Sequence, residues 1–127
     1  MKILARMIFA IAVLLFVAGA WAGEVPYKKA ALDKALAEGQ PAIVYFHADW
    51  CPTCKVQQPL VKELLKESRM KVVTLFLADY DKEKDLKKTL RVSSQSTFVV
   101  FKGGKEVARS TGQTNKEDLA ATFAKAL

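Results

Sequence analysis

The 127-residue chain has little of most things that carry chemistry: two cysteines, one histidine, four prolines and six glycines. Two cysteines are too few for the disulfide frameworks that hold together small exported domains with thin cores. Cys51 and Cys54 enclose only two residues, Pro52 and Thr53, and a bridge closing so short a loop adds little stability. The pair is therefore either redox-active or a metal ligand. The single histidine, His47, leaves a tetrahedral zinc site poorly supplied, with two thiols, His47 and Asp49 as the nearest donors. There is no internal repeat, low-complexity tract or linker, which leaves one small domain. Basic residues outnumber acidic ones, 20 to 13, for a formal charge of +7. No stripe of interleaved aromatic and basic residues accompanies that excess, which argues against a nucleic-acid partner. Glu83 and Lys87 stand at i,i+4 spacing, the arrangement of a solvated helix face.

A run long enough to span a membrane is also lacking. Lys2 and Arg6 precede an uncharged apolar stretch from Met7 to Ala20, which ends in Ala20-Trp21-Ala22. That stretch falls short of the roughly 20 residues a spanning helix needs. A basic start, an apolar middle and a small-x-small ending together read as a secretory signal peptide. Residues 1–22 are assigned to it, with an uncleaved anchor as the alternative, and residues 23–127 to the folded domain. No cysteine follows the cleavage point, so a lipid has no attachment residue there.

What is present is apolar residues, 51% of the chain, enough for a packed core. An Ala, Leu and Lys-rich helix is predicted from Pro26 to Gly39, with Ala30, Ala31, Leu32, Ala35 and Leu36 facing inward and Gly39-Gln40-Pro41 stopping it. The continuous apolar run Ala42 to His47 marks a strand covered on both faces. After the cysteines, a helix to about Arg69 carries Val56, Leu60 and Leu64 on one stripe with Val61 and Leu65 beside it. Pro59 inside it removes a hydrogen bond and predicts a kink. Lys71 to Leu77 reads as a second buried strand, Lys82 to Leu90 as a short helix, and Ser93 to Ser96 as a polar loop. Thr97 to Phe101 and Lys105 to Ser110 form a hairpin around Gly103-Gly104. Thr114 and Glu117 read as a capping box opening a last helix to Leu127. The order αβαβαββα, with a right-handed parallel crossover, predicts an α/β fold: a mixed four-stranded sheet flanked by helices on both faces.

Trp50-Cys51-Pro52-Thr53-Cys54-Lys55 lies where a buried strand hands over to a helix. Unpaired N–H groups and a partial positive charge at a helix start favour an anion, so the Cys51 thiolate, the nucleophilic form, should be stabilised. Cys54, three residues on, shares its helix face, within disulfide reach and more deeply buried. Pro52 suits an early helix position, where its missing N–H had no partner.

With these residues in place the chain resembles the thioredoxin family. The resemblance covers the whole of residues 23–127 and rests on Trp50 to Lys55, Pro59, Phe101-Lys102-Gly103-Gly104-Lys105 and Gly112. It implies a thioredoxin fold and a thiol–disulfide oxidoreductase, with Cys51 attacking and Cys54 resolving and no cofactor beyond the Cys51–Cys54 redox pair. It further implies substrate contacts at Trp50, Pro52, Thr53, Gln95, Ser96 and Gly112, and tuning of the thiols by His47, Tyr45 and Lys55. The form Trp-Cys-Pro-Thr-Cys behind a signal peptide is similar to exported bacterial members that reduce disulfides. This implies a periplasmic monomer acting on protein thiols and disulfides and supplied by a membrane-bound electron donor. Three positions depart from the family pattern. Tyr45 replaces a buried Asp that accepts a proton from the second cysteine, His47 replaces a Trp, and Ser96 replaces a cis-proline. Tyr45 cannot act as a base near neutrality. The cost of a non-proline cis bond, about 2.5–4 kcal/mol, leaves cis and trans both open at Ser96 and puts substrate docking along Gln95-Ser96 in question. The bland alternatives are a core role for Tyr45, a strand-end role for His47 and solvated charges at Asp49 and Lys55. The rival readings of the thiols are copper binding or delivery, and an oxidase or isomerase of disulfides.

Overall fold

The computed structural model describes residues 23–127; the expected signal peptide, residues 1–22, lies outside the described residues. The chain runs through β1 (Gly23–Pro26), α1 (Lys29–Ala37), β2 (Ala42–His47), α2 (Pro52–Lys66), a 3₁₀ turn (Ser68–Met70), β3 (Thr74–Asp79), α3 (Lys84–Leu90), β4 (Thr97–Lys102), β5 (Lys105–Thr111) and α4 (Lys116–Ala124). The sheet has five strands, in the order β1-β3-β2-β4-β5, one more than the four expected. The additional strand is β1, paired parallel with β3 from Gly23↔Thr74 to Pro26↔Leu77. Four residues are too few to display a strand period, and pairing with β3 is what holds them extended. Pro26 accordingly ends a strand instead of starting a helix, and α1 begins at Lys29.

Strand β2 sits at the centre, parallel to β3 and antiparallel to β4. Its alternate residues feed two cores. Ile43 and Tyr45 join Phe98, Val100, Val61, Leu64, Leu119 and Phe123 under α2 and α4. Val44 and Phe46 join Val99, Phe101, Leu32, Ala35 and Leu86 under α1 and α3. Tyr45 stacks on Phe98 with ring centroids 4.3 Å apart, and Phe98 meets the edge of Phe123 at 5.2 Å. This double burial is why β2 reads as an unbroken apolar run.

Several local expectations are corrected. Of the five α1 positions expected inside, only Leu32 and Ala35 are buried. The buried stripe of α2 is Cys54, Gln57, Val61 and Leu64, while Val56 is 52% exposed. The helix stops at Lys66 because Glu67 turns to an extended conformation before the 3₁₀ turn. Strand β3 starts at Thr74, three residues later than expected, where its ladder with Ala42 of β2 begins. The cap of α4 is Asn115, whose side chain accepts from the N–H groups of Glu117 and Asp118 at 2.9 and 3.2 Å; Thr114 lies one residue outside. In the β4–β5 turn both Gly103 and Gly104 have positive φ, 59° and 77°, as a two-residue hairpin of this hand requires. A Cβ on Gly104 would lie 2.7 Å from the Leu36 carbonyl oxygen, so that turn also packs against the end of α1.

Candidate functional site

The site begins as a helix cap. Cys51 is extended, φ −85° and ψ 112°, and its Sγ accepts the N–H of Cys54 at 3.1 Å, with Pro52 opening the helix. The thiol thus takes the place of an Asp or Ser side chain at a helix start, and the chain's own geometry aims donors at the sulfur. Both cysteines are free thiols. Each is only 1% exposed, so the expected contrast between an open first sulfur and a buried second one is absent. Both are covered because a second segment closes over them.

That segment is the approach to β4. Ser96 is 3% exposed and its Oγ lies 3.0 Å from Cys51 Sγ and 3.2 Å from Cys54 Sγ. Its backbone has φ +61°, and no cis peptide bond occurs among the described residues, so the peptide at Ser96 is trans. A left-handed conformation is unfavourable for a residue with a Cβ; here it is held by three hydrogen bonds. The Ser96 N–H donates to the Phe46 carbonyl at 2.8 Å, and its own carbonyl accepts from the Gly112 N–H at 3.0 Å and from Gln57 Nε2 at 3.4 Å. Gly112, expected as a substrate contact, is exposed, and its N–H braces the Ser96 carbonyl. Gln95 is partly buried and its carbonyl takes the Ser94 hydroxyl at 3.1 Å.

Burial of Cys51 pushes its pKa up, but the hydrogen bonds from the Cys54 and Ser96 side chains and from the N–H groups of Cys54 and Thr53 outweigh it. The net effect is a thiol held below the ordinary range. Tyr45 moves the other way: burial, reinforced by the neighbouring Cys54 and Cys51 sulfurs, pushes its hydroxyl far up. That hydroxyl donates to Gln57 Oε1 at 3.0 Å and approaches the Cys54 carbonyl at 3.4 Å. Gln57 carries no functional signature in the sequence yet sits at the centre of this network. It is fully buried and joins Tyr45, the Ser96 carbonyl and the Gln113 carbonyl, the last at 2.9 Å. A glutamine at the spacing of Cys54, Val61 and Leu64 was the available signal, since a buried amide must find partners.

The other expected residues surround the thiols without bonding to them. His47, Ala48, Asp49, Cys54, Lys55 and Gln58 line a cavity of about 150 Å³. His47 Nε2 lies 3.6 Å from Asp49 Oδ1 and its ring stands 5.9 Å from that of Tyr45. Lys55 and Pro52 are exposed. Trp50 is 56% exposed, and its Nε1–H donates to Asp81 Oδ2 at 2.7 Å, which fixes an aromatic face beside Cys51. Among the described residues no group of three or more His, Cys, Asp or Glu side chains gathers as a metal site.

A dithiol at the start of the helix leaving the central strand, with its first thiol biased toward thiolate, defines a protein built for thiol–disulfide exchange. Comparison with known proteins agrees. Residues 24–125 match the thioredoxin family. Thioredoxin H4 of Arabidopsis thaliana is 35% identical over 94 residues, covering 74% of this chain and 77% of that protein. Thioredoxin of Chlamydia muridarum is 36% identical over 83 residues, covering 65% and 79%. Among solved structures, Trxlp of Edwardsiella tarda superposes with a TM-score of 0.77 at 35% identity, over 80% of this chain and 98% of the other. The chain belongs to the thioredoxin family and is a thiol–disulfide oxidoreductase of the Cys-x-x-Cys type, with Cys51 and Cys54 as the pair.

Proposed function

We propose that the protein reduces disulfides of other proteins in the periplasm, working as a monomer. Cys51 thiolate attacks a substrate disulfide, a mixed disulfide forms, and Cys54 displaces the second substrate thiol to leave Cys51–Cys54 oxidised. The observation that carries this reading is the set of donors converging on Cys51 Sγ: the Cys54 N–H at 3.1 Å and Ser96 Oγ at 3.0 Å. They favour the thiolate, the only form that attacks. Trp50 and Pro52, exposed beside the sulfur, supply an apolar surface for the substrate chain. The periplasmic placement rests on the signal-peptide pattern of residues 1–22. A reductant working there needs its electrons delivered across the membrane, so a membrane-bound thiol–disulfide donor is part of the proposal.

A second direction is favoured by the same hydrogen bonds. Interactions that stabilise the reduced pair raise its reduction potential, which would make the protein an oxidant of substrate thiols. The potential of the Cys51–Cys54 couple, measured by equilibration in glutathione buffers, decides between them. A value near about −270 mV supports the reductant, and one near about −120 mV replaces it with the oxidant.

A further inference from the structure

Resolution of the mixed disulfide needs a route for the Cys54 proton, and the buried surroundings of that sulfur are short of bases. The Tyr45 hydroxyl donates to Gln57 and the Cys54 carbonyl, and burial opposes its ionisation. His47, Asp49 and Lys55 share a cavity with Cys54, yet none of them hydrogen-bonds to it. The Tyr45 hydroxyl also lies against the Cys54 side chain, but it reaches no second sulfur; the Ser96 Oγ touches Cys54 and Cys51 alike. A hydroxyl both accepts and donates, so one oxygen standing 3.2 Å from one sulfur and 3.0 Å from the other completes a chain between them.

We propose that Ser96 Oγ is a catalytic proton relay between Cys54 and the sulfur leaving Cys51. In the reduced pair the Cys54 S–H lies against both the Cys51 sulfur and Ser96 Oγ, and the Ser96 O–H donates to the Cys51 thiolate. Once Cys51 is bonded to substrate, the Cys54 S–H donates to Ser96 Oγ alone. Once Cys51 has attacked, its sulfur is bonded to a substrate sulfur. Cys54 Sγ then attacks Cys51 Sγ: the Cys54–Cys51 bond forms, the Cys51–substrate bond breaks, and the bonding electrons leave on the substrate sulfur. The Cys54 proton passes to Ser96 Oγ while the hydroxyl's own proton passes to the departing thiolate, so the serine ends unchanged. The first substrate thiolate released takes its proton from water. The cysteine pair is oxidised by two electrons and the substrate disulfide reduced by two. The relay rests on thiol exchange and works in reverse for the oxidising direction.

The hydroxyl effect is read in Ser96→Gly, because glycine adopts the positive φ freely and the backbone strain is removed together with the side chain. Reduced protein is mixed with glutathione disulfide, quenched with acid at intervals, and analysed by mass spectrometry. The Cys51–glutathione mixed disulfide should accumulate in the variant, with resolution slowed on the order of 100-fold near neutral pH. The deficit should narrow as pH rises, because hydroxide then takes the proton that the relay would carry. Ser96→Ala, which keeps the Cβ, should show the same profile and serves if the glycine variant does not fold. A folded variant that resolves at the parental rate overturns the relay. So does a deficit of equal size at every pH, which would report a displaced sulfur. Failure of the parental protein to form any mixed disulfide would instead reject the exchange chemistry on which the relay rests.

Discussion

Two segments meet at the sulfur atoms, and they are built by different means. Trp50 to Cys54 makes its half of the site from neighbouring residues: an extended cysteine, a proline at the helix start and an N–H aimed back at the thiol. Ser93 to Ser96 makes its half from residues far apart in the chain. Ser96 is seated by the Phe46 carbonyl on β2, the Gly112 N–H after β5 and the Gln57 amide on α2. The first half would form in almost any strand-to-helix turn with that spelling. The second exists only when β2, β4 and β5 are in register. A nucleophile can thus be prepared by local rules, whereas the group covering it depends on the assembled sheet.

The sharpest test of the local half is Cys51→Ser, which should drop insulin reduction to the uncatalysed level, while Cys54→Ser should keep the attack and trap substrate proteins as mixed disulfides. The joint between the halves is Gln57. Replacing it with Leu leaves the buried Tyr45 hydroxyl and the Gln113 carbonyl short of partners, at a cost of about 1–3 kcal/mol. Each kcal/mol should lower the melting temperature by about 4–8 °C for a domain of this size. The slowed resolution that would accompany loosening of Ser96 separates Gln57→Leu from an ordinary core defect.

The pH dependence compares the halves in a gentler way. The folded-state pKa of Cys51 is lowered, so between that value and the ordinary thiol range the unfolded chain binds more protons than the folded one. Stability of the reduced protein therefore rises with pH across that window, is fully present above it and is lost as pH falls through the folded pKa. Denaturant melts of the reduced protein on either side of the window should show the rise, and Cys51→Ser should abolish it. The smallest effect lies outside both halves. Asn115→Ala should cost about 1 kcal/mol through the lost α4 cap, with exchange activity unchanged, while Thr114→Ala should cost less.

Much of the fold is legible in the sequence because burial leaves a pattern. The run Ala42 to His47 is apolar throughout because β2 is covered on both faces, and Gly103-Gly104 stands where the turn demands positive φ. β1 is illegible for the opposite reason: it is a short edge strand with a half-exposed pattern, held by β3. Val56 misleads because apolar character alone does not say which side of α2 faces inward, and Gln57 is overlooked because a buried amide looks like a surface one until its partners are known. Asn115 and Thr114 are both good caps by type, and the choice between them follows from where α4 docks.

The sequence by itself determined the placement of the pair, since Cys51-Pro52-Thr53-Cys54 after a buried strand places two thiols at a helix start whatever else the chain does. Only the tertiary structure decided how those thiols are governed. Ser96 reaches both sulfurs because the β2–β4 pairing sets its depth in the fold and the Gln57, Phe46 and Gly112 hydrogen bonds hold its unfavourable backbone. These contacts join residues up to 50 positions apart along the chain, a distance over which no local pattern survives.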